Sequence, residues 1–320
     1  MSFLEVKNLV LGLKFQKMAL IDKVSFSLER GEILGILGES GCGKSLTGFS
    51  LLRLLPPGII HYSGEVIIDG ISIYELSEEE VSKIRGKKIA IILQDPLSSL
   101  NPVLTIGEQI EEVLKYHFNL GKKERKEKTF KLLKEVGIPE PELRAKNYPH
   151  QLSGGLRQRA MIAMALAGEP EILVADEPTT ALDVTLQIQI LELLKKLNQE
   201  KSLTIVFISH DLGIIRWIAQ KVAVFYAGEI VEIAKTEELF NNPLHPYTLS
   251  LINSYPKEGK LGKILKGGVV NLLEKPEGCR YFERCEIICE EGKKLHPELV
   301  SINNNHWVRC FKYVKNHSRS

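Results

Sequence analysis

Two groups of residues in this chain have the types and spacing to do chemistry. The first is Gly38-Glu39-Ser40-Gly41-Cys42-Gly43-Lys44-Ser45, a G-x-x-x-x-G-K-S run set between the apolar stretch Ile33 to Leu37 and a helical pattern. Glycines let a backbone curl so that successive N–H groups point inward at phosphate oxygens, and the helix that follows adds its positive N-terminal end to the same anion. Lys44 is placed to bring a charge to the β- and γ-phosphates and Ser45 a hydroxyl ligand to Mg²⁺, while the Cys42 side chain is incidental. Matching carboxylates stand at Asp176-Glu177, at the end of the apolar run Ile172 to Ala175, which is the edge of a parallel sheet where ligands bind. Asp176 is expected to hold Mg²⁺, directly or through water, and Glu177 to polarise an attacking water as general base. The chemistry this implies is hydrolysis of a nucleoside triphosphate.

The second group is made of cysteines. The chain has five, and four of them, Cys279, Cys285, Cys289 and Cys310, crowd its last part in the order C-x5-C-x3-C-x20-C. Cytosolic thiols are kept reduced, so such a group points to a metal or cluster rather than to two disulfides. Close C-x2-C pairs, the usual mark of a structural zinc knuckle, are missing. Four thiolates from irregular loops can hold a [4Fe–4S] cluster, with Cys285 and Cys289 on one face if the segment between them is helical. Zn²⁺ and unliganded or transiently disulfide-bonded cysteines remain open, with His296 and His306 as substitute ligands. A small polar segment has too little core to stand alone, which favours a structural role for the metal over electron transfer.

The elements that must position these residues alternate in type. Short apolar strand patterns fill the first 75 residues, and a helix pattern runs from Gly43 to Leu55, closed by Pro56-Pro57-Gly58. Residues 88 to 93 (KIAIIL), 171 to 176 (EILVAD) and 203 to 209 (LTIVFIS) are continuous apolar runs, too short for helices, that read as strands buried on both faces and parallel to one another. Between the first two, the period turns helical from Thr105 to Gly137, with a capping box at Thr105-Ile106-Gly107-Glu108 and a solvated Lys/Glu face over 122–134. A helix from about Thr185 to Glu200 separates the last two runs, and VAVFYAGEIVEI reads as a hairpin around Ala227-Gly228. Past Thr236 the pattern loosens through NNPLHPYT and the Lys/Gly-rich KEGKLGKILKGG, with a boundary near Asn241. The order implies an α/β sheet with a helical insertion.

Composition narrows the class. With 320 residues, 44% hydrophobic and 26% charged, the chain is globular rather than disordered, collagenous or a disulfide miniprotein. Forty-two basic against 40 acidic residues leave a charge of +2, which argues for neither nucleic acid nor an acidic lipid surface. No apolar run approaches the roughly 18 residues of a membrane span, and the opening MSFLEVKNLV lacks a secretory layout. A cytosolic chain is expected, reaching a membrane only through other subunits.

Leu152-Ser153-Gly154-Gly155, opening an amphipathic basic helix with Ser153 23 residues ahead of Asp176, resembles the signature of ABC-type ATPases. Physically it is another anion site, in which Ser153 and the N–H groups of Gly154 and Gly155 open a helix toward a γ-phosphate. The resemblance implies that this phosphate belongs to ATP on the opposite subunit, two cassettes closing head to tail. It further implies a Q-loop glutamine at Gln94 that ligates Mg²⁺ or water, a γ-phosphate-sensing histidine at His210, a D-loop aspartate at Asp183 in Ala181-Leu182-Asp183, and adenine stacking by Phe15, whose alternative is a core position. Many members carry glutamine where Leu156 stands, a change that leaves the backbone N–H groups intact.

Two further stretches, Gln94 to Pro102 (QDPLSSLNP) and Asn242 to Thr248 (NPLHPYT), resemble ATPase subunits of bacterial dipeptide, oligopeptide and nickel importers. That resemblance implies a P-loop cassette with a mostly parallel sheet core, an antiparallel β subdomain and a helical subdomain at about 95–160, all within 1–240, followed by an extension at 241–320 that carries a [4Fe–4S] cluster. It also implies a second ATPase subunit, copy or paralogue, two membrane permease subunits, an external substrate-binding protein, and a place on the cytoplasmic face of the membrane. No nucleic acid is expected. Rival readings are a nucleic-acid-binding repair ATPase and an ATPase of iron–sulfur assembly.

Overall fold

Apolar residues recurring at alternate positions make the first strands: β1 (Leu4–Leu13), β2 (Met18–Leu28) and the wholly buried β3 (Ile33–Leu37). The computed structural model describes residues 2–16, 18–180, 182–255, 267–268, 270–287 and 289–317. Ala181 and most of the Lys/Gly-rich stretch, both invoked above, lie outside these residues. After β3 come α1 (Lys44–Ser50), β4 (Ile59–Ile68) and β5 (Ile71–Ser72). Helix α1 is shorter than its sequence pattern suggests. Arg53 takes a left-handed φ of 51°, so the chain leaves the helix before Pro56 forces it out.

The chain continues through α2 (Glu78–Ile84), β6 (Ile89–Ile92), α3 (Pro96–Ser99), α4 (Ile106–His117), α5 (Lys122–Glu135), α6 (Pro141–Arg144), α7 (Gly154–Leu166), β7 (Ile172–Asp176) and α8 (Val184–Lys201). Next stand β8 (Thr204–Ser209), α9 (Leu212–Ile218), β9 (Lys221–Tyr226), β10 (Glu229–Lys235), α10 (Thr236–Asn241), α11 (Pro246–Ser254), β11 (Val300–Asn303), β12 (His306–Val308) and α12 (Phe311–His317). Two compact units result. Unit 1 comprises residues 1–29, 33–74 and 207–320, and unit 2 residues 30–32 and 75–206.

In unit 1, β2, β1, β4 and β5 form an antiparallel sheet, while β11, β12, β10, β9 and β3 lie side by side, antiparallel except for the parallel pair β9 and β3. Every residue of β3 is buried, as the uninterrupted apolar run requires of a strand covered on both faces. The hairpin expected at Ala227-Gly228 is present between β9 and β10. In unit 2, β6 runs parallel to β7, and α4, α5 and α7 pack together as the helical insertion. The Thr105–Glu108 capping box closes on α4, and the Lys/Glu residues of α5 are largely exposed. Among the described residues no helix is long and apolar enough to cross a membrane.

Candidate nucleotide-binding site

In unit 1 the phosphate-binding loop turns between β3 and α1 with a geometry only glycine tolerates easily. Gly41 and Gly43 have φ of 77° and 104°, and a Cβ on Gly43 would fall 2.3 Å from Ile21 Cδ1. Lys44 is buried, its Nζ donating to the carbonyls of Gly38 and Glu39 at 2.8 and 2.9 Å. The ammonium is thus held at the mouth of the loop by backbone oxygens. Cys42 is buried beside it, 3.9 Å from Lys44 Nζ, and burial pushes its thiol up. Ser45, in the first turn of α1, is half-buried. His210 follows the buried end of β8 and is exposed, next to Asp211, whose Oδ1 accepts from Ile214 N and caps α9. Phe15 is 88% exposed in the turn after β1, which removes the core alternative for it.

In unit 2 the carboxylates gather as expected at the end of β7. Asp176 is buried, whereas Glu177 is half-buried with a left-handed φ of 45°, an uncommon backbone for a non-glycine residue. Glu177 Oε2 accepts from Gln94 Nε2 at 3.2 Å and from Thr180 Oγ1 at 2.9 Å. Ser153 caps α7 by accepting from Leu156 N at 3.4 Å, and Asp183 caps α8 by accepting from Leu186 N at 3.0 Å. The two helix starts adjoin, since a Cβ on Gly155 would lie 2.9 Å from Leu186 Cδ2. Gln94 and Glu177 therefore meet at one place in this unit, with Asp176 next in the chain, and Ser153, Gly154, Gly155 and Asp183 gather at another.

The cysteine segment departs from expectation in its local form. Of the described residues between Cys285 and Cys289, neither Glu286 nor Ile287 is helical. Cys285 follows a 3-10 turn (Phe282–Arg284) and Cys289 precedes another (Glu290–Lys293), so no helix face carries both. Several of the thiols nevertheless lie within electrostatic reach of one another. Burial pushes Cys279 up to about 12 and raises Cys285 and Cys310 too; Cys285 and Cys310 act on Cys279, Cys289 on Cys285, and both Cys285 and Cys289 on Cys310. Among the described residues no three His, Cys, Asp or Glu side chains converge on a point where a single metal ion would sit. His296 and His306 are engaged elsewhere: His296 Nε2 is 2.8 Å from Glu229 and His306 Nε2 2.7 Å from Glu232, which disfavours them as substitute ligands.

Sequence reasoning missed how the segment attaches. Glu229 and Glu232, both buried on β10, receive Arg280, Arg309, His296 and His306 from it, and Glu232 also accepts from Leu244 N and His245 N at 2.7 and 2.9 Å. Arg284 forks onto Glu39, in the phosphate-binding loop, at 2.6 and 3.1 Å. Nothing local announces these pairs. Glu39 reads as a free position of the loop motif, and the one hint is an arginine directly preceding Cys285.

The family model described as ABC transporter matches residues 21–180, and the one described as oligopeptide/dipeptide transporter, C-terminal region, matches residues 231–291. A probable peptide ABC transporter ATP-binding protein, y4tR of Sinorhizobium fredii, is 47% identical over 294 residues, 90% of this chain and 88% of that one. AppD of Bacillus subtilis, an oligopeptide transport ATP-binding protein, is 43% identical over 323 aligned positions, covering 98% of this chain and 97% of that protein. Among solved structures, the ATP-binding cassette MJ0796, a dimer bound to ADP and Pi, superposes with a TM-score of 0.65 at 33% identity over 73% of this chain and 98% of its own. The fold and these matches define the class, an ATP-binding cassette of P-loop type. The chain belongs to the ABC transporter family and carries the C-terminal region of the oligopeptide and dipeptide transporters. The repair and iron–sulfur-assembly readings are accordingly not favoured.

Proposed function

We propose that this chain is the ATP-hydrolysing subunit of a peptide importer. ATP binding and hydrolysis here would be coupled to uptake of dipeptides or oligopeptides through partner membrane subunits. The observation that carries the reading is the loop between β3 and α1, with its glycine turns and its buried lysine held at the mouth. In this reading Gly38 to Ser45 wrap the phosphates, Lys44 neutralises the β- and γ-oxygens, and Phe15 stacks on adenine. Ser45, Gln94 and Asp176 would hold Mg²⁺, a hard oxygen set that suits it, and the ion would supply positive charge to the phosphates. Glu177, held by Gln94 and Thr180, orients water as general base, and His210 senses the γ-phosphate. Ser153, Gly154, Gly155 and Asp183 serve the nucleotide of a facing cassette, copy or paralogue.

Residues 1–240 form the cassette in this proposal, with its helical subdomain at about 95–160, and 241–320 the extension. The assembly includes two permease subunits and, indirectly, an external binding protein, with this chain peripheral on the cytoplasmic side. Cys279, Cys285, Cys289 and Cys310 would hold a [4Fe–4S] cluster. The reading rests on four cysteines gathered in one short region, the number of thiolates such a cluster takes. Half-buried thiols of this kind would lose their protons to a metal, and the bound group would tie irregular loops together.

The test is Glu177→Gln. ATP turnover should fall at least about 100-fold while ATP binding persists and an ATP-trapped dimer accumulates on size exclusion; rapid hydrolysis by the variant would remove Glu177 from its role. For the extension, anaerobically purified protein should contain iron and absorb near the visible blue. Cys285→Ser should lose both, and iron retained by that variant would refute the ligand set.

A further inference from the structure

The two chemical groups of the molecule touch. Arg284, one residue before Cys285, is 5% exposed and presents its fork to Glu39: Nη1 donates to Oε2 at 2.6 Å and Nη2 to Oε1 at 3.1 Å. Its guanidinium carbon sits 5.6 Å from the ring centre of Tyr226, 5.9 Å from Tyr247 and 5.8 Å from Tyr281, an aromatic cage that suits a planar cation. Glu39 is fixed at its other two polar points as well. Its N–H donates to Tyr247 Oη at 3.0 Å, and its carbonyl accepts from Lys44 Nζ at 2.9 Å.

A second bridge runs beside the first. Arg280 Nη1 donates to the carbonyl of Ala227 at 2.8 Å, and the N–H of Gly228 donates to the carbonyl of Cys42 inside the loop at 3.0 Å. The cysteine segment therefore grips the phosphate-binding loop directly through Arg284 and indirectly through the β9–β10 turn.

Charge gives this contact a direction. A loop that collects N–H groups and a lysine for a polyanion has a carboxylate, Glu39, among its residues. Left alone, that carboxylate would repel the triphosphate and compete for Lys44. A bidentate arginine in an apolar cage cancels it and holds the loop open at the same time. We propose that Arg284 is a positioning residue for ATP: by clamping Glu39 it sets the affinity of the phosphate-binding loop, and it makes that affinity depend on the seating of the cysteine segment. The proposal rests on the reading of residues 38–45 as the ATP site.

The experiment is a double-mutant cycle on the full chain, read as the Kd of Mg²⁺ with the fluorescent analogue TNP-ATP, with thermal unfolding measured in parallel. Arg284→Gln should weaken binding roughly tenfold, because it exposes the loop to an uncancelled Glu39. Glu39→Gln in the same background should restore most of that affinity. A merely structural arginine predicts the reverse, since two broken partners would bind no better than one. Arg284→Lys keeps the charge without the fork and should lie between, and it serves if Arg284→Gln does not fold. Unchanged affinity in Arg284→Gln, or binding in the double variant no tighter than in Arg284→Gln, overturns the proposal. Failure of the unaltered chain to bind the analogue would instead overturn the ATP-site reading beneath it.

Discussion

The phosphate-binding loop and the cysteine segment share a unit and a border, yet they are built on opposite principles. The loop is a local device. Eight consecutive residues, a strand before and a helix after contain nearly everything it needs, because its ligand groups are backbone N–H donors whose direction follows from φ and ψ. The cysteine segment is held from a distance. Its arginines and histidines find Asp22, Glu39, Glu229 and Glu232, residues 51 to 258 positions away in the chain. A short region without a core of its own borrows buried carboxylates from the cassette, whose desolvation is tolerable only while each is paired.

That difference predicts where the molecule breaks most easily. Glu232 is fully buried and satisfies His306, Leu244 N and His245 N together. Glu232→Ala strands three polar groups at once and should cost about 3 to 5 kcal/mol in denaturant unfolding. The segment around residues 290–310 should become protease-sensitive before the cassette does. A loss under about 1 kcal/mol would show that β10 is not its anchor.

Acid should attack the same border. His245 is fully buried; burial lowers it to about 4, more strongly than the nearby Glu232 and Glu229 raise it. Its Nδ1 accepts from Tyr247 N at 3.0 Å, a bond that needs the neutral ring. The folded value lies below the unfolded 6.5, so between them only the unfolded chain takes up the proton. Stability from the neutral ring is complete above pH 6.5 and drains away as pH falls toward 4, by roughly 3 kcal/mol over the window. His245→Asn keeps an acceptor for Tyr247 N and should flatten that slope in pH-dependent unfolding; an unchanged slope would assign acid sensitivity elsewhere.

The loop should also respond to its own backbone. Gly43→Ala puts a Cβ against Ile21 Cδ1, a side-chain end able to turn aside, so most of the penalty is the φ of 104°. Strain of this kind costs about 1 to 3 kcal/mol. The expected signature is a small drop in melting temperature with a much larger loss of nucleotide binding, whereas equal losses of both would mean a general unfolding.

The same contrast explains what could be read from the residues alone. The strands at 89–92, 172–176 and 204–209, the capping box at Thr105 and the carboxylates at the end of β7 were legible because each is written in adjacent residues by periodicity or by type. Helix α1 was read too long because proline marks where a helix must have ended, not where Arg53 takes it out of register. The supposed helix face for Cys285 and Cys289 failed for a related reason. Four-residue spacing is compatible with a helix, but loops shaped by remote arginines carry no period. The pairing of Glu39 with Arg284, and of Glu229 and Glu232 with the cysteine segment, was invisible because only folding brings these residues together.

Phe15 offers the finest discrimination, since sequence left it between adenine and the core and its 88% exposure removes the second. An exposed aromatic in a turn contributes little to folding, so Phe15→Ala should alter stability by no more than about 0.5 kcal/mol. If the ring stacks on the base, ATP affinity should drop by about 1 kcal/mol, roughly fivefold in Kd, and Phe15→Trp should keep it. The decisive comparison uses inorganic triphosphate as competitor. It engages the glycine loop but offers no base, so its affinity should be the same with Phe15 or Ala at this position. An equal loss for ATP and for triphosphate would mean that the turn after β1 acts on the loop itself, and the adenine contact would have to be sought on another residue.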